Sequence, residues 1–458
     1  MDEYGLERRR FLKYAGATAA AVVGLSALGW DYLMRREPTA PSGKSTKGPV
    51  LIKDEALIPD APENFQQTRH LVLRGSNRDI GRTLAEIGRR DLGVDKLAKY
   101  ADSIYGEARR TYLKDNFAAL YERSLGVADA FGLAEDDTRF DTTTLPYDLG
   151  SLACSSVCFP PNTTANGHTL VSRNMEWYTV SAVELLTGKK APQAPVMGKH
   201  GFIAEFYPDQ DCASMQTTFM ELLNFPMDGI NEHGLSATAL VDQQGRGQPI
   251  LGVGGHDAGL STMHVISLLM TQCKTVREAK LMILRQRIFF PVEALHWVIS
   301  DPTGASTIFE ADSRTGEYVF VDGNEGKPQV CTNHALHVYP TPASFPQTDP
   351  KANYNTFNRF RTLQDAVDSR QDKFTVDDCF QILSKVYGAT DDAEEAGAHN
   401  PYPIRTLWTF VMDLTDRTIY IKYYLRDASK IEGTKGVNLL LTDPIKIRLS
   451  PSAGSFAT

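Results

Sequence analysis

The chain has 458 residues, 42% of them hydrophobic, enough to bury a large core, and its length would suit two or three domains. A formal net charge of −8, with acidic and basic residues mixed along the sequence, leaves no electrostatic case for nucleic acid or an anionic membrane surface as partner. The cysteines Cys154, Cys158, Cys212, Cys273, Cys331 and Cys379 form no Cys-x-x-Cys pair, no His-Glu-x-x-His run is present, and His334-x-x-His337 lacks further evident ligands. No catalytic metal and no cofactor are therefore expected.

Arg8 to Lys13 reads R-R-R-F-L-K and is followed by the mildly apolar Tyr14 to Trp30, which resembles a twin-arginine export signal. No A-x-A cleavage site is evident after Trp30, so residues 1–34 are either removed or kept as an N-terminal membrane anchor. About seventeen apolar-leaning residues are marginal for spanning a bilayer. Residues 35–50, rich in Pro, Ser, Gly and Lys, read as a flexible linker. The signal implies a periplasmic or other extracytoplasmic location. Because substrates of that route cross the membrane folded, free buried cysteines are expected rather than three disulfides.

Between Thr68 and Leu149 the pattern gives a short strand, His70 to Leu73, and then amphipathic helices. Ile80, Leu84 and Ile87 recur at helical spacing within Ile80 to Leu92, as do Leu113, Phe117, Leu120, Val127 and Phe131 within Thr111 to Phe131. Residues 51–153 thus read as a packed element, not a spacer.

Cys154 to Phe159 and His168 to Trp177 are rich in β-branched and apolar residues, and Asn166-Gly167 supplies the dipeptide that a tight hairpin favours. Pairing of these strands would bring Arg173 and Glu176 close to Cys154, where a guanidinium favours the thiolate, the form that attacks. Taken alone, a cysteine at the head of a strand is ordinarily a small buried hydrophobe. The full run A-C-S-S-V-C-F-P-P-N-T-T-A-N-G-H-T-L-V-S-R-N-M-E-W is more specific. It resembles the cysteine N-terminal nucleophile hydrolases, which include the choloylglycine hydrolases, penicillin V acylase, acid ceramidase and the acyl-CoA:isopenicillin N acyltransferase group.

That resemblance implies that the chain cleaves its own Ala153-Cys154 bond, freeing an α-amino group to act as base for the thiol. The runs L-R-G-S-N-R-D-I-G-R (Leu73 to Arg82) and S-L-G-V-A-D-A-F-G (Ser124 to Gly132) are similar to the pro-region of the isopenicillin N acyltransferase group. Residues 51–153 would then stay bound as a small subunit to a catalytic domain of residues 154–458. The family usually has Asp where this chain has Glu176, a stem one methylene longer, and binding the new α-ammonium is the role expected of it.

Further along, Gly201 to Tyr207 and Cys212 to Met220 alternate as strands, followed by F-P-M-D-G-I-N-E-H-G-L-S-A-T-A-L from Phe225 to Leu240. Its G-I-N-E-H-G-L core resembles the stretch that supplies an oxyanion-hole asparagine in the bile salt and penicillin V hydrolases, which would be Asn231; read without the resemblance, Asn231 and Gly234 form a turn. Helices are expected within His256 to Gln286, a hairpin around D-P-T-G between His296 and Glu310, and a strand at Tyr318 to Val321. Cys331-Thr332-Asn333 resembles the setting of the family's second active-site asparagine, here Asn333. Asn355 to Asp368 reads as a helix capped by Asn355 or Asn358. Its Arg-Phe pair resembles an arginine that bile salt hydrolases hold near the nucleophile: Arg359, with Arg361 as the alternative. A helix at Phe374 to Tyr387 and two strands around D-L-T-D-R, between Thr406 and Leu425, complete the pattern.

Strands and helices in this order fit the α+β class. The resemblance specifies a four-layer αββα sandwich. It also implies an exported, autoproteolytic enzyme that cleaves a linear, non-peptide amide of an N-acylated small molecule through a thioester on Cys154. Cys154, Arg173, Glu176, Asn231, Asn333 and Arg359 are the expected site residues. Acyl transfer to an amine acceptor and a catalytically silent exported binding protein of the same fold are the alternatives, and self-association stays open.

Overall fold

The computed structural model describes residues 49–147, 153–223, 226–242, 258–289, 294–312, 315–347, 354–394 and 401–450. The twin-arginine stretch, the apolar run after it and all but the end of the linker lie outside these residues.

Two sheets form the middle of the molecule. The first runs, in order, β1 (Leu51–Ala56), β2 (Gln67–Gly75), β5 (His200–Pro208), β6 (Ser214–Thr218), β7 (Asp228–Asn231), β8 (Ser236–Val241), β11 (Leu295–Ser300), β12 (Ser306–Ala311) and β13 (Tyr318–Asp322). Its neighbours are antiparallel except β2 and β5, which pair in parallel from Gln67 opposite His200 to Gly75 opposite Pro208. The second sheet runs β14 (Gln329–Cys331), β3 (Ala153–Phe159), β4 (Leu170–Tyr178), β16 (Ile404–Asp413), β17 (Thr418–Lys430) and β18 (Val437–Leu441), with β15 (Ala389–Thr390) on β16 and β19 (Ile445–Arg448) on β17. β9 (Leu260–Ser261) and β10 (Ile288–Phe289) make a separate parallel pair.

Helices cover both outer faces. Leu71 and Leu73 of β2 and Phe202, Ala204 and Phe206 of β5 cluster with Ile80, Leu84 and Ile87 of α1 (Asn77–Asp91) and Val127 of α3 (Ala118–Ala130). The alternate residues Val72, Ile203 and Tyr207 point the other way, into the core between the sheets. On the same sheet α5 (Val265–Gln272) packs against β7 and β8, and α6 (Val276–Leu284) against β11. On the second sheet α7 (Thr356–Asp368) packs against β3 and β14, and α8 (Val376–Ser384) against β4 and β16. α2 (Ser103–Asn116) and the short α4 (Ala182–Thr187) complete the set among the described residues. The fold is the expected α+β sandwich of four layers, helix, sheet, sheet, helix.

Three local expectations need correction. Before the strand expected at His70 to Leu73, which is the middle of β2, the chain adds a further strand, β1, and the two form one edge of the first sheet. β1 escapes a hydrophobic reading because it carries Lys53, Asp54 and Glu55, as exposed edge strands commonly do. The single helix expected from Thr111 to Phe131 is two, broken at Phe117 (φ −147°, ψ 70°), whose N–H closes α2 on the Leu113 carbonyl. The hydrophobic stripe hides the break, since Leu113, Phe117 and Leu120 are all buried. Finally, β3 and β4 are not joined by a tight turn at Asn166-Gly167; residues 160–169 loop outward through a short 3-10 turn, with Asn166 donating to Asp413.

Candidate active site

Pairing of β3 with β4 sets Ala153 opposite Glu176, Cys154 opposite Met175 and Ser156 opposite Arg173. Residues directly opposite share a face, so Cys154 and Arg173 point together into the space between the sheets, one diagonal step apart. Glu176 and Ser155 point to the other face, under α7 and α8. The structure therefore brings Arg173 to the thiol and Glu176 to the main chain behind it.

Every polar atom of Cys154 is held. Its Sγ accepts from Arg173 Nη2 at 3.0 Å, its N–H donates to Asn333 Oδ1 at 2.9 Å, and its carbonyl accepts from Arg359 Nη1 at 2.6 Å. Arg359 also donates to Asn333 Oδ1 (2.7 Å) and Ser155 Oγ (2.8 Å), while its Nε returns to the Tyr354 carbonyl. Asn333 Nδ2 donates to the Val241 carbonyl at 2.8 Å. Of the two arginines weighed for α7, Arg359 reaches the cysteine; Arg361 bonds Asn358 and the Pro346 carbonyl. The turn that delivers Arg359 is strained, with Tyr354 at φ 53° and Asn355 at φ 52°. Asn355 precedes the helix without making the side-chain capping bond expected of it.

Arg173 has no solvent, and both its Nη groups donate to protein, while Nε has no hydrogen-bond partner among the described residues. Nη1 meets Asp228 Oδ2 at 2.7 Å and Nη2 also reaches the Ala239 carbonyl at 3.1 Å. Thr217 Oγ1 donates to the same Asp228 oxygen. Burial alone would lower the Arg173 pKa, but Asp228 and Cys154 raise it, so the guanidinium keeps its charge. Burial pushes the Cys154 thiol up more than Arg173 pulls it down. The cysteine is accordingly held as a neutral thiol, not the thiolate that Arg173 alone would favour.

Glu176 is buried too, and burial lifts its pKa to about 7 against the opposing pull of Arg359 and Arg173. Oε1 accepts from Thr406 Oγ1 at 3.3 Å, whereas Oε2 has no hydrogen-bond partner among the described residues. Room for the longer stem comes from Gly388, where a Cβ would stand 2.8 Å from Glu176 Cγ, and from a bulge in β16 between Thr406 and Trp408 opposite Glu176.

Asn231 is not brought to this cluster. Asp228 at the start of β7 faces Arg173, and Asn231, three residues on, faces the opposite side of the sheet. There its Nδ2 donates to the carbonyls of Met270 and Cys273, at 3.2 and 2.7 Å, and its Oδ1 accepts from the N–H groups of His233 and Leu235. Its amide is committed to holding a turn against the end of α5.

Two features escaped the sequence reading. Asp228 is one, although a lone acid in a strand as buried as β7 must find a counter-charge, and Arg173 in the equally buried β4 is the matching signal. The other is a polar network behind Asn333. His296 Nε2 donates to the Thr332 carbonyl at 2.7 Å, and its Nδ1 lies 3.1 Å from Glu310. Glu310 also accepts from the N–H groups of Leu336 and His337 and lies 2.6 Å from His337 Nδ1. Burial would favour neutral imidazole, but Cys331 and Glu310 hold His296 well above its usual pKa. The pair clamps the 332–337 segment that carries Asn333. All six cysteines are free thiols.

Residues 223–425 match the family described as acyl-coenzyme A:6-aminopenicillanic acid acyl-transferase. The acyltransferase group is one of those the sequence resembles. The matched span takes in Asn231, Asn333 and Arg359 and starts after Cys154, Arg173 and Glu176, whose arrangement rests on the geometry above. No curated protein matches the chain. Among solved structures, penicillin V acylase from Agrobacterium tumefaciens is similar at 18% identity, with 63% of this chain and 86% of that chain covered and a TM-score of 0.40. A mutant of the conjugated bile acid hydrolase from Clostridium perfringens is similar at 16% identity, with 65% and 98% covered and a TM-score of 0.40.

Proposed function

We propose that Cys154 is the nucleophile of an enzyme that cleaves a linear, non-peptide amide of an N-acylated small molecule, after the chain has cut its own Ala153-Cys154 bond. The observation that carries this reading is the grip on Cys154: one buried residue whose thiol, N–H and carbonyl are each held by a different long polar side chain. A cysteine kept only for packing has no use for Arg173, Asn333 and Arg359.

Self-cleavage begins with the thiol attacking the Ala153 carbonyl, moving the acyl group from nitrogen to sulfur; water then hydrolyses that thioester and leaves Cys154 with a free α-amino group. An α-amino group ordinarily titrates at about 7.7 to 8.0, so near neutrality it can take the thiol proton as sulfur attacks a substrate amide. Glu176, with one oxygen free behind the main chain, receives the ammonium so formed. Arg173, kept charged by Asp228, stabilises negative charge on sulfur. The oxyanion needs a fixed donor. Asn231 is turned away from the nucleophile, and Asn333 Nδ2, now on the Val241 carbonyl, is the side-chain amide at hand. The amine leaves with the proton, and water releases the acid from the thioester.

The matched family's description favours a second reading, in which an amine acceptor instead of water resolves the thioester. In either case the enzyme works outside the cytoplasm, taken there by Arg8 to Lys13. The test is expression of the full chain followed by mass determination and assay on a panel of N-acyl amides, with and without an added amine acceptor. A fragment beginning C-S-S-V-C and amide cleavage that disappears in Cys154→Ala are expected. A fully active chain that stays intact would remove self-cleavage, and an active Cys154→Ala would remove the nucleophile.

A further inference from the structure

The G-I-N-E-H-G-L motif is left without a part in the chemistry at Cys154, yet it is held from several sides. Asn231 bonds the end of α5 on one side and the N–H groups of His233 and Leu235 on the other. The Glu232 N–H donates to the Ala213 carbonyl, and Gly234 turns at φ 80° so close to Leu414 that a Cβ would stand 2.3 Å from its carbonyl oxygen. Such fixing has a result at the surface. Glu232 and His233 are presented together toward Cys212, which lies in the neighbouring β5–β6 connection and is itself anchored by an N–H bond to the Thr271 carbonyl.

We infer that Cys212, Glu232 and His233 form a site for a divalent transition metal, with Zn2+ the ion their donors suit best. A thiolate sulfur, a carboxylate oxygen and an imidazole nitrogen lie within 4.8 Å of one another, with Glu232 Oε1 3.9 Å from His233 Nε2. Donors around tetrahedral zinc stand roughly 3.3 to 3.8 Å apart, so small side-chain rotations close the site without backbone movement. A single carboxylate beside sulfur and nitrogen is the wrong set for Ca2+ or Mg2+, which take oxygen. Outside the cluster these side chains make no hydrogen bond among the described residues. The other candidate group, His168 with Asp413 and Asp416, differs in that His168 Nδ1 already lies 3.0 and 2.9 Å from the two Asp413 oxygens. Around Cys212 the remaining charges are Asp211, which favours a cation, and Lys274, which opposes it. One thiolate and one carboxylate neutralise the ion, and the thiol proton goes to solvent. A fourth position stays open to water, and the bound ion would clip the β5–β6 turn to the β7–β8 turn.

This site stands whether or not the reading of Cys154 holds. The full chain, stripped with EDTA and freed of any affinity tag, is titrated with ZnCl2 by calorimetry and with CoCl2 by absorption spectroscopy. One equivalent should bind, thermal unfolding should shift upward with Zn2+, and Co2+ should give a thiolate-to-metal charge-transfer band. Cys212→Ser should abolish that band. Cys212→Ser and His233→Gln should each weaken Zn2+ binding more than tenfold, whereas Cys154→Ser should leave binding and band unchanged. His233 is exposed, so its variant keeps the fold. Absence of saturable binding, or binding and a band that persist in Cys212→Ser and His233→Gln, overturns the proposal.

Discussion

A carboxyl group buried under α7 and α8 with one oxygen unpartnered resists ionisation, and Glu176 does so up to about pH 7. Its folded pKa lies above the ordinary value of 4.5, so the folded chain holds this proton more tightly than the unfolded chain does. The stability this contributes is complete below about pH 4.5 and is lost as pH rises through about 7, a change on the order of 3 kcal/mol. In uncut Cys154→Ala, thermal unfolding should therefore fall from pH 5 to 7.5, and the added change Glu176→Gln should flatten that fall; equal slopes would show that Glu176 ionises freely. The two asparagines are separated by a different measurement. Asn333→Ala should lower kcat of matured enzyme by about 10²-fold, as loss of an oxyanion donor does, with KM little changed. Asn231→Ala should keep kcat but lose stability, by about 1 to 3 kcal/mol for each buried group left unsatisfied, because four backbone partners lose their bond. At this scale the nearness of Arg173, Asn333 and Arg359 to Cys154 was legible, because strand pairing and motif both point at one place. For Asn231 the plain reading of a turn with Gly234 is what the structure shows, while the resemblance set it beside Cys154; the facing depends on where β7 begins, and a strand's side chains change sides with every residue.

Elements that meet through backbone contact leave glycine as their only trace. α1 and α3 cross at Gly81 and Gly126, where an added Cβ would stand 2.1 Å from the Arg123 carbonyl oxygen and 1.9 Å from that of Arg78 respectively. Both glycines fall within the runs that resemble a pro-region, so the crossing explains why small residues occur there. Gly126→Ala gains helix propensity, yet it must push two backbones apart, and the second effect is the larger since no flexible side chain can yield. A loss of at least 1 to 3 kcal/mol, roughly the cost of overpacking a core, should appear in chemical denaturation. A neutral or stabilising result would mean the helices have room to separate. Element existence was legible from hydrophobic periodicity for α1, α7 and α8 and for β2 to β6, β11 to β13, β16 and β17. It failed at β1, whose charges suit an exposed edge, and at Phe117, where a buried ring at helical spacing conceals a helix break.

Taken whole, the molecule divides its first sheet between the segment before Cys154 and the segment after it. Parallel pairing of β2 with β5 is the seam, and α1 and α3 bury Leu71, Leu73, Phe202 and Phe206 across it. Polar contacts cross the same boundary: buried His70 Nε2 lies 2.7 Å from Glu205, and half-buried Asn77 donates to Asp211 at 2.6 Å. A cut at Ala153-Cys154 breaks none of these. The small piece therefore cannot leave without opening a sheet edge and exposing an apolar face on both fragments, each of which water disfavours. In the proposed mature enzyme, gel filtration at neutral pH should give one species containing both fragments, and separation should require denaturant at the concentration that unfolds the large fragment. After such separation the large fragment alone should aggregate, since β5 becomes an unpaired edge beside Phe202, Ala204 and Phe206. A large fragment that remains soluble, monomeric and active on its own would show that β1, β2, α1 and α3 are dispensable once Cys154 is free.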